Sequence, residues 1–222
     1  MTKLILCLVL GSLATLGFAQ KTITEGTVVY TVEWLPTPQM QQIAAMFPTE
    51  LTVYFKGDSS ATLSKSAFTT TNSILNTKTE FQRLLIDVPM NGKKYSVLFS
   101  PDDIEMMKEN GPDFSISAGT GTKKINEYNA QKYTITEKKS GKTTEAWFTK
   151  DIAVNQNSLT QFFDKSLGFP LQFNSFQSGM GIKAVVKEVK EGKVPPAIFS
   201  ASKDYEEITF AQLMSMMGGG RR

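Results

Sequence analysis

The chain has 222 residues, 20% of them charged, with 24 Lys and Arg against 21 Asp and Glu, one Cys and no His. These figures exclude His- or Cys-based zinc sites, His-ligated haem, and Ser-His or Cys-His nucleophile pairs. A net charge of +3 is too small and too evenly spread for a nucleic-acid footprint, while 15 Phe, 6 Tyr and 2 Trp supply the core that a disordered chain lacks.

The N-terminus reads as a cleaved export signal over residues 1–19. Lys3 supplies the positive charge, Leu4 to Leu16 the apolar run, and Gly17-Phe18-Ala19 the small residues before a cut at Gln20. A bulky Leu6 and a short apolar lead disqualify Cys7 from lipidation, so Cys7 leaves with the signal. The mature chain then has 203 residues without Cys, so it relies on its core and not on disulfides. No later run is apolar enough to span a bilayer as a helix. The expected location is the periplasm or the extracellular space.

Period-two alternation dominates the mature chain. Val28, Tyr30, Val32 and Trp34 alternate with Thr27, Thr31 and Glu33, and Leu51, Val53 and Phe55 with Thr52 and Lys56. Phe81–Val88, Tyr95–Phe99, Tyr133–Thr136, Thr144–Thr149 and Ile182–Val189 repeat the pattern. Asn91-Gly92 and Ser140-Gly141 each separate two such runs and predict antiparallel hairpins. Clean alternation gives each strand one solvated face, which suits an antiparallel sheet.

Helical spacing is confined to short pieces. Met40, Ile43, Ala44 and Phe47 form one stripe. Ser100-Pro101-Asp102-Asp103 is a cap with a first-turn proline and two dipole-compensating acids, and Gly111-Pro112 stops that helix. Thr209 caps a last helix with Phe210, Leu213, Met214 and Met217 on one face, followed by a tail over 218–222. Between Leu159 and Met180 a third of all Phe is gathered (Phe162, Phe163, Phe169, Phe173, Phe176). That stretch reads as a short helix and an irregular apolar loop. With no repeat and no linker, 20–217 reads as one mainly β domain.

No catalytic kit emerges. Ser200-Ala201-Ser202-Lys203 has Ser-x-x-Lys spacing but follows Pro195-Pro196 in an extended segment, where that chemistry needs a helix. Gly119-Thr120-Gly121-Thr122-Lys123-Lys124 lacks the first glycine of a phosphate loop and reads as a connection between strands. Asp102, Asp103 and Glu105 lack the alternating ligands of a calcium loop. Lys183, Lys187, Lys190 and Lys193 lie among Glu188 and Glu191 as a solvated edge. The expectation is a chain that is not an enzyme and has no metal and no cofactor.

Two segments carry a family resemblance: Lys123-Lys124-Ile125-Asn126-Glu127-Tyr128-Asn129-Ala130-Gln131-Lys132-Tyr133-Thr134-Ile135, and Glu145-Ala146-Trp147-Phe148-Thr149-Lys150-Asp151-Ile152. They resemble an uncharacterised exported domain-of-unknown-function family of Gram-negative envelopes, with Glu127 where that family usually has glycine. The family is in turn distantly similar to Lol-type lipoprotein carriers. The resemblance implies a curved antiparallel sheet or half-barrel with short helices covering the concave face, where acyl chains are held.

Met and Phe side chains make adaptable surfaces for irregular apolar ligands. Together with the resemblance they predict an exported, non-enzymatic protein binding a lipid or acylated molecule through Met40, Ile43, Phe47, Phe169, Phe173, Phe176, Phe210 and Met214. The other reading is a structural or assembly protein of the cell envelope, in which the same residues fill an ordinary core and there is no ligand.

Overall fold

In a computed structural model of the protein, which describes residues 20–177 and 180–218, the alternating runs become strands because one face of each is apolar. Residues 1–19, read above as an export signal, and residues 219–222 lie outside the described residues. The strands are β1 (Lys21–Thr22), β2 (Glu25–Leu35), β3 (Glu50–Lys56), β4 (Ser59–Lys65), β5 (Thr70–Asn76), β6 (Phe81–Val88) and β7 (Lys93–Leu98). After helix α1 (Pro101–Asn110) come β8 (Phe114–Ile125), β9 (Tyr128–Glu137), β10 (Thr143–Thr149), β11 (Ile152–Ala153), β12 (Phe169–Gln177) and β13 (Met180–Glu191). A short β14 (Glu206–Ile208) precedes helix α2 (Phe210–Gly218), and three 3-10 turns occupy Pro38–Met46, Lys165–Leu167 and Pro196–Phe199.

Twelve of these strands make one sheet, ordered β14-β7-β6-β5-β4-β3-β2-β13-β12-β10-β9-β8. Every pairing in it is antiparallel except β14 on β7. Both expected hairpins form, β6–β7 around Asn91-Gly92 and β9–β10 around Ser140-Gly141. The protein is thus mainly β, with a large antiparallel sheet that does not close into a barrel.

The sheet must curl. β7 and β8 stand at its second and twelfth positions, about 48 Å apart if the sheet were flat. The connection between them contains only the ten-residue α1 and a few extended residues, a reach of about 30 Å. Helix α1 accordingly touches both halves: Lys108 pairs with Glu80 of the β5–β6 turn at 3.4 Å, and Lys139 of the β9–β10 turn donates to the carbonyls of Glu109 and Gly111. Its start is the anticipated cap, Ser100 Oγ accepting from the Asp103 amide and the Asp103 carboxylate from the Ser100 amide.

Inside the curl lies the main core. Val28, Tyr30 and Val32 of β2 face Leu51, Val53 and Phe55 of β3, with Ala146, Phe148, Phe169, Leu171, Phe173, Ile182, Ala184 and Val186 continuing across the other half. Gly26 sits where a Cβ would come within 2.1 Å of the Lys190 carbonyl oxygen, so β2 and β13 approach there only because it has no side chain.

Three expectations are corrected. The Phe-rich stretch is not a loop from residue 169 onward: it is β12, because Phe169, Leu171 and Phe173 alternate inward between β10 and β13. Gly119 to Lys124 is not a connection but part of the edge strand β8, its register broken between Ala118 and Thr122 by a bulge. The Met40–Phe47 stripe winds as a 3-10 turn, Pro38–Met46.

Candidate functional site

The structure distributes the eight anticipated ligand residues over three places. Phe169 and Phe173 meet in the inner core, 3% and 1% exposed. The Phe173 ring stands edge-on to Tyr30 at 5.7 Å and to Phe163 at 5.5 Å. Met40 and Phe47 sit at one end of the sheet, where Phe47 packs on Trp34 at 5.1 Å and the Trp34 indole donates to the Pro48 carbonyl. Phe210 packs on Phe99 at 5.3 Å beside β7, and Met214 is half-exposed on the outer side of α2. The side chains of Ile43, Phe176 and Met217 lie outside the described residues.

The inner face is occupied by the chain itself. Between β10 and β12 the segment 151–168 crosses the inside of the curl, and Leu159 (fully buried) and Phe163 drop into it. Phe163 contacts Phe114, Phe148 and Phe173, all at 5.4–5.8 Å between ring centres. The crossing is tied down along its length. Asn155 reaches the Gly57 carbonyl and Thr77, Ser158 bonds Thr62 on β4, and Ser175 donates to the Leu159 carbonyl. It ends at Gly168, whose φ of +99° and missing side chain let it turn beneath the Thr149 carbonyl. A cavity of about 150 Å³ remains at its mouth, between Gln20, Gln156, Asp164 and Phe169. Tyr30, buried beneath, has its phenol pKa raised by desolvation, with the Asn157 carboxamide beside it.

A second covering lies on the outer face. Residues 195–205 fold over β4–β6, and Ile198, Phe199, Ala201 and Tyr205 rest on Ala61, Ile74 and Leu85. This cover is looser. It leaves a cleft of about 290 Å³ with Leu63 and Leu85 in its floor, Thr70 and Asn72 beside them, and Ile198, Ser200, Ser202 and Tyr205 in its wall. Asn72 donates to the Ile198 carbonyl at 2.8 Å and so latches the loop to β5, while its own Oδ1 is buried without a partner.

At the rim Lys94 pairs with Asp204 at 2.6 Å and lies near Asp87 at 3.9 Å, and Ser202 donates to Asp204. The hydrogen bond and charge of Asp204 raise the Lys94 pKa; Lys94 and then Ser202 hold Asp204 down at about 2. A lysine held protonated beside a carboxylate held ionised forms a clasp and not an acid–base pair, since proton transfer near neutral pH needs values moved the other way. Among the described residues there is no cluster of three metal-ligating side chains, and no helix is long and apolar enough to cross a membrane.

Sequence reading missed this cleft because its floor alternates apolar and polar residues on short β-strands, and its latch joins Asn72 to Ile198, 126 residues later. Ser200, singled out for its spacing to Lys203, does line the cleft, but the lysine at the rim is Lys94.

No protein-family model matches the chain, and no curated protein does. Two solved structures similar to it are both of PNGF-II, one in space group C2 and one in P21. They superpose with a TM-score of 0.53 at 15% and 14% identity, over 89% of this chain. The chain spans about a third of the PNGF-II length, and the likeness is one of fold.

Proposed function

We propose that the protein is an exported, non-enzymatic component of the cell envelope that works through its surfaces, as a structural or assembly part, and does not carry a lipid inside its curved sheet. One observation carries this reading: Leu159 and Phe163 fill the inner face, the place where a half-barrel carrier would hold acyl chains. The export signal read from residues 1–19 and the envelope-family resemblance of 123–152 support the location.

The cleft under residues 195–205 favours a second reading, a small hydrophobic ligand bound on the outer face. Its 290 Å³ lies at the low end of ligand pockets and accommodates a short apolar group, not a pair of acyl chains. Titration with a fluorescent fatty-acyl probe separates the two. The structural reading expects no saturable binding by well-folded protein. Saturable binding that Ile198→Asp abolishes with the circular dichroism unchanged would establish the ligand reading instead.

A further inference from the structure

Strands alternate in direction, so the connections β2–β3, β4–β5 and β6–β7 all emerge at one end of that half of the sheet, roughly 10 Å apart. Each presents an exposed large hydrophobe: Met46 (46% exposed), Phe68 (40%) and Met90 (77%). Two of the three are turns with well-formed bonds. Ser66 Oγ accepts from the amides of Phe68 and Thr69, and the Asn91 and Gly92 amides return to Val88 and Pro89. Turn tips ordinarily carry polar residues, and here rigid tips hold Phe and Met outward.

The connections at this end also carry no charge: residues 34–49, 66–69 and 88–92 contain no Asp, Glu, Lys or Arg. At the opposite end every turn of this half is charged: Lys56 and Asp58, Lys78 and Glu80, and Glu191 and Lys193 just beyond β13. Just behind the apolar tips stand Lys65 and Lys93, which make no ion pair among the described residues. The nearby acids Glu50 and Glu33 pair with Lys187 and Lys183, and Lys94 lies between Asp204 and Asp87.

From this we infer that the uncharged end of β2–β7 docks on an anionic lipid bilayer. Met46, Phe68 and Met90 enter the interfacial region, and Lys65 and Lys93 face the headgroups. Separate projecting tips suit a fluid surface that closes around each of them, whereas a protein partner is fitted by a continuous patch or groove. Lys65 and Lys93, cations without an ion-pair partner among the described residues, are complementary to anionic lipid. The inference rests on the proposed envelope location and not on what the interior or the cleft holds.

The mature chain is floated with vesicles of phosphatidylcholine and phosphatidylglycerol (3:1) and with phosphatidylcholine alone. Wild type should partition onto the anionic vesicles, less at high salt. Phe68→Asp with Met90→Asp should reduce partition about ten-fold or more. Both sites are exposed turn positions, and circular dichroism checks the fold. Lys65→Glu with Lys93→Glu should lower it on anionic vesicles only, and Lys78→Glu at the opposite end should leave it unchanged. Wild-type protein that stays unbound, or tip variants that float as well as wild type, would overturn the inference. So would self-association in the absence of lipid that the tip variants abolish, which would make this end an interface between copies. Failure here leaves the acyl-probe result standing, because that probe reads the interior and the cleft.

Discussion

Both faces of the sheet are covered by chain that leaves it and returns, yet one cover packs into the main core, with about 150 Å³ left at its mouth, and the other leaves a cleft of about 290 Å³. The inner crossing, 151–168, brings Leu159 and Phe163 and is bonded to β3–β4, β5–β6, β4 and β12. The outer cover, 195–205, brings Ile198, Phe199, Ala201 and Tyr205 and is held by the partly buried Asn72–Ile198 bond and a solvent-exposed clasp. Both covers bring aromatic bulk, so the difference lies in the ties: side-chain hydrogen bonds are spread along the inner crossing, and the outer cover has one latch and one clasp.

The strongest way to break this contrast is Phe173→Asp, which strands a carboxylate among Tyr30, Phe163 and Ala184. Loss of a buried Phe alone costs about 3–5 kcal/mol and the unpaired charge adds to it, so the variant should be unfolded by circular dichroism. Phe163→Ala, which removes the plug but adds no charge, should lower stability to urea by about 3–5 kcal/mol and leave a folded protein. If both variants melt like wild type, the inner face is not a packed core.

A smaller effect is expected outside. Asn72→Ala deletes the latch and leaves the Ile198 carbonyl without its donor, at a cost of about 1–3 kcal/mol confined to the loop. Limited trypsin digestion should then cut after Lys203 faster, with the urea midpoint of the sheet little changed. A global loss of stability instead would mean that the two covers fold as one unit.

The smallest effect is set by pH. Asp204 titrates at about 2 in the folded protein against an ordinary 3.8. A depressed carboxyl contributes fully above its unfolded value, and the contribution fades as pH falls from about 4 through 2. Pepsin digestion across that window should show residues 195–205 becoming accessible first while the inner core stays protected. Lys94→Met, which removes the largest cause, should weaken the pH dependence and leave the smaller part due to Ser202. Equal opening of both covers would contradict the clasp.

The strands with strict alternation were legible: Val28 to Trp34 and Leu51 to Phe55 lie as their periodicity predicts, inward at Val28, Tyr30, Val32, Leu51, Val53 and Phe55. So was α1, because capping is a local interaction between Ser100 and Asp103. β4 and β5 were not. Ser60, Thr62 and Ser64 are buried polar residues, and a strand whose inward positions are hydroxyls carries no hydrophobic period to read. β12 was hidden for the opposite reason. Its Phe and Leu recur through a segment punctuated by Gly168, Pro170 and Gly179, and only pairing with β10 and β13 selects an extended backbone. The cleft could not be read at all, since Asn72 and Ile198 meet across 126 residues of chain.

The order of the sheet has a consequence for chain entropy. Strands β2 to β7 follow one another as neighbours, and β8, β9, β10, β12 and β13 do the same, so nearly every pairing closes a short loop. The exception in the body of the sheet is the seam between β2 and β13, where Val32 meets Ala184. Closing a loop of that length carries a larger entropic cost than any hairpin, growing with the logarithm of the separation. Each half can therefore assemble from local contacts, and the β2–β13 seam, where Gly26 lets the backbones approach, is the pairing with the largest loop-closure cost in the body of the sheet.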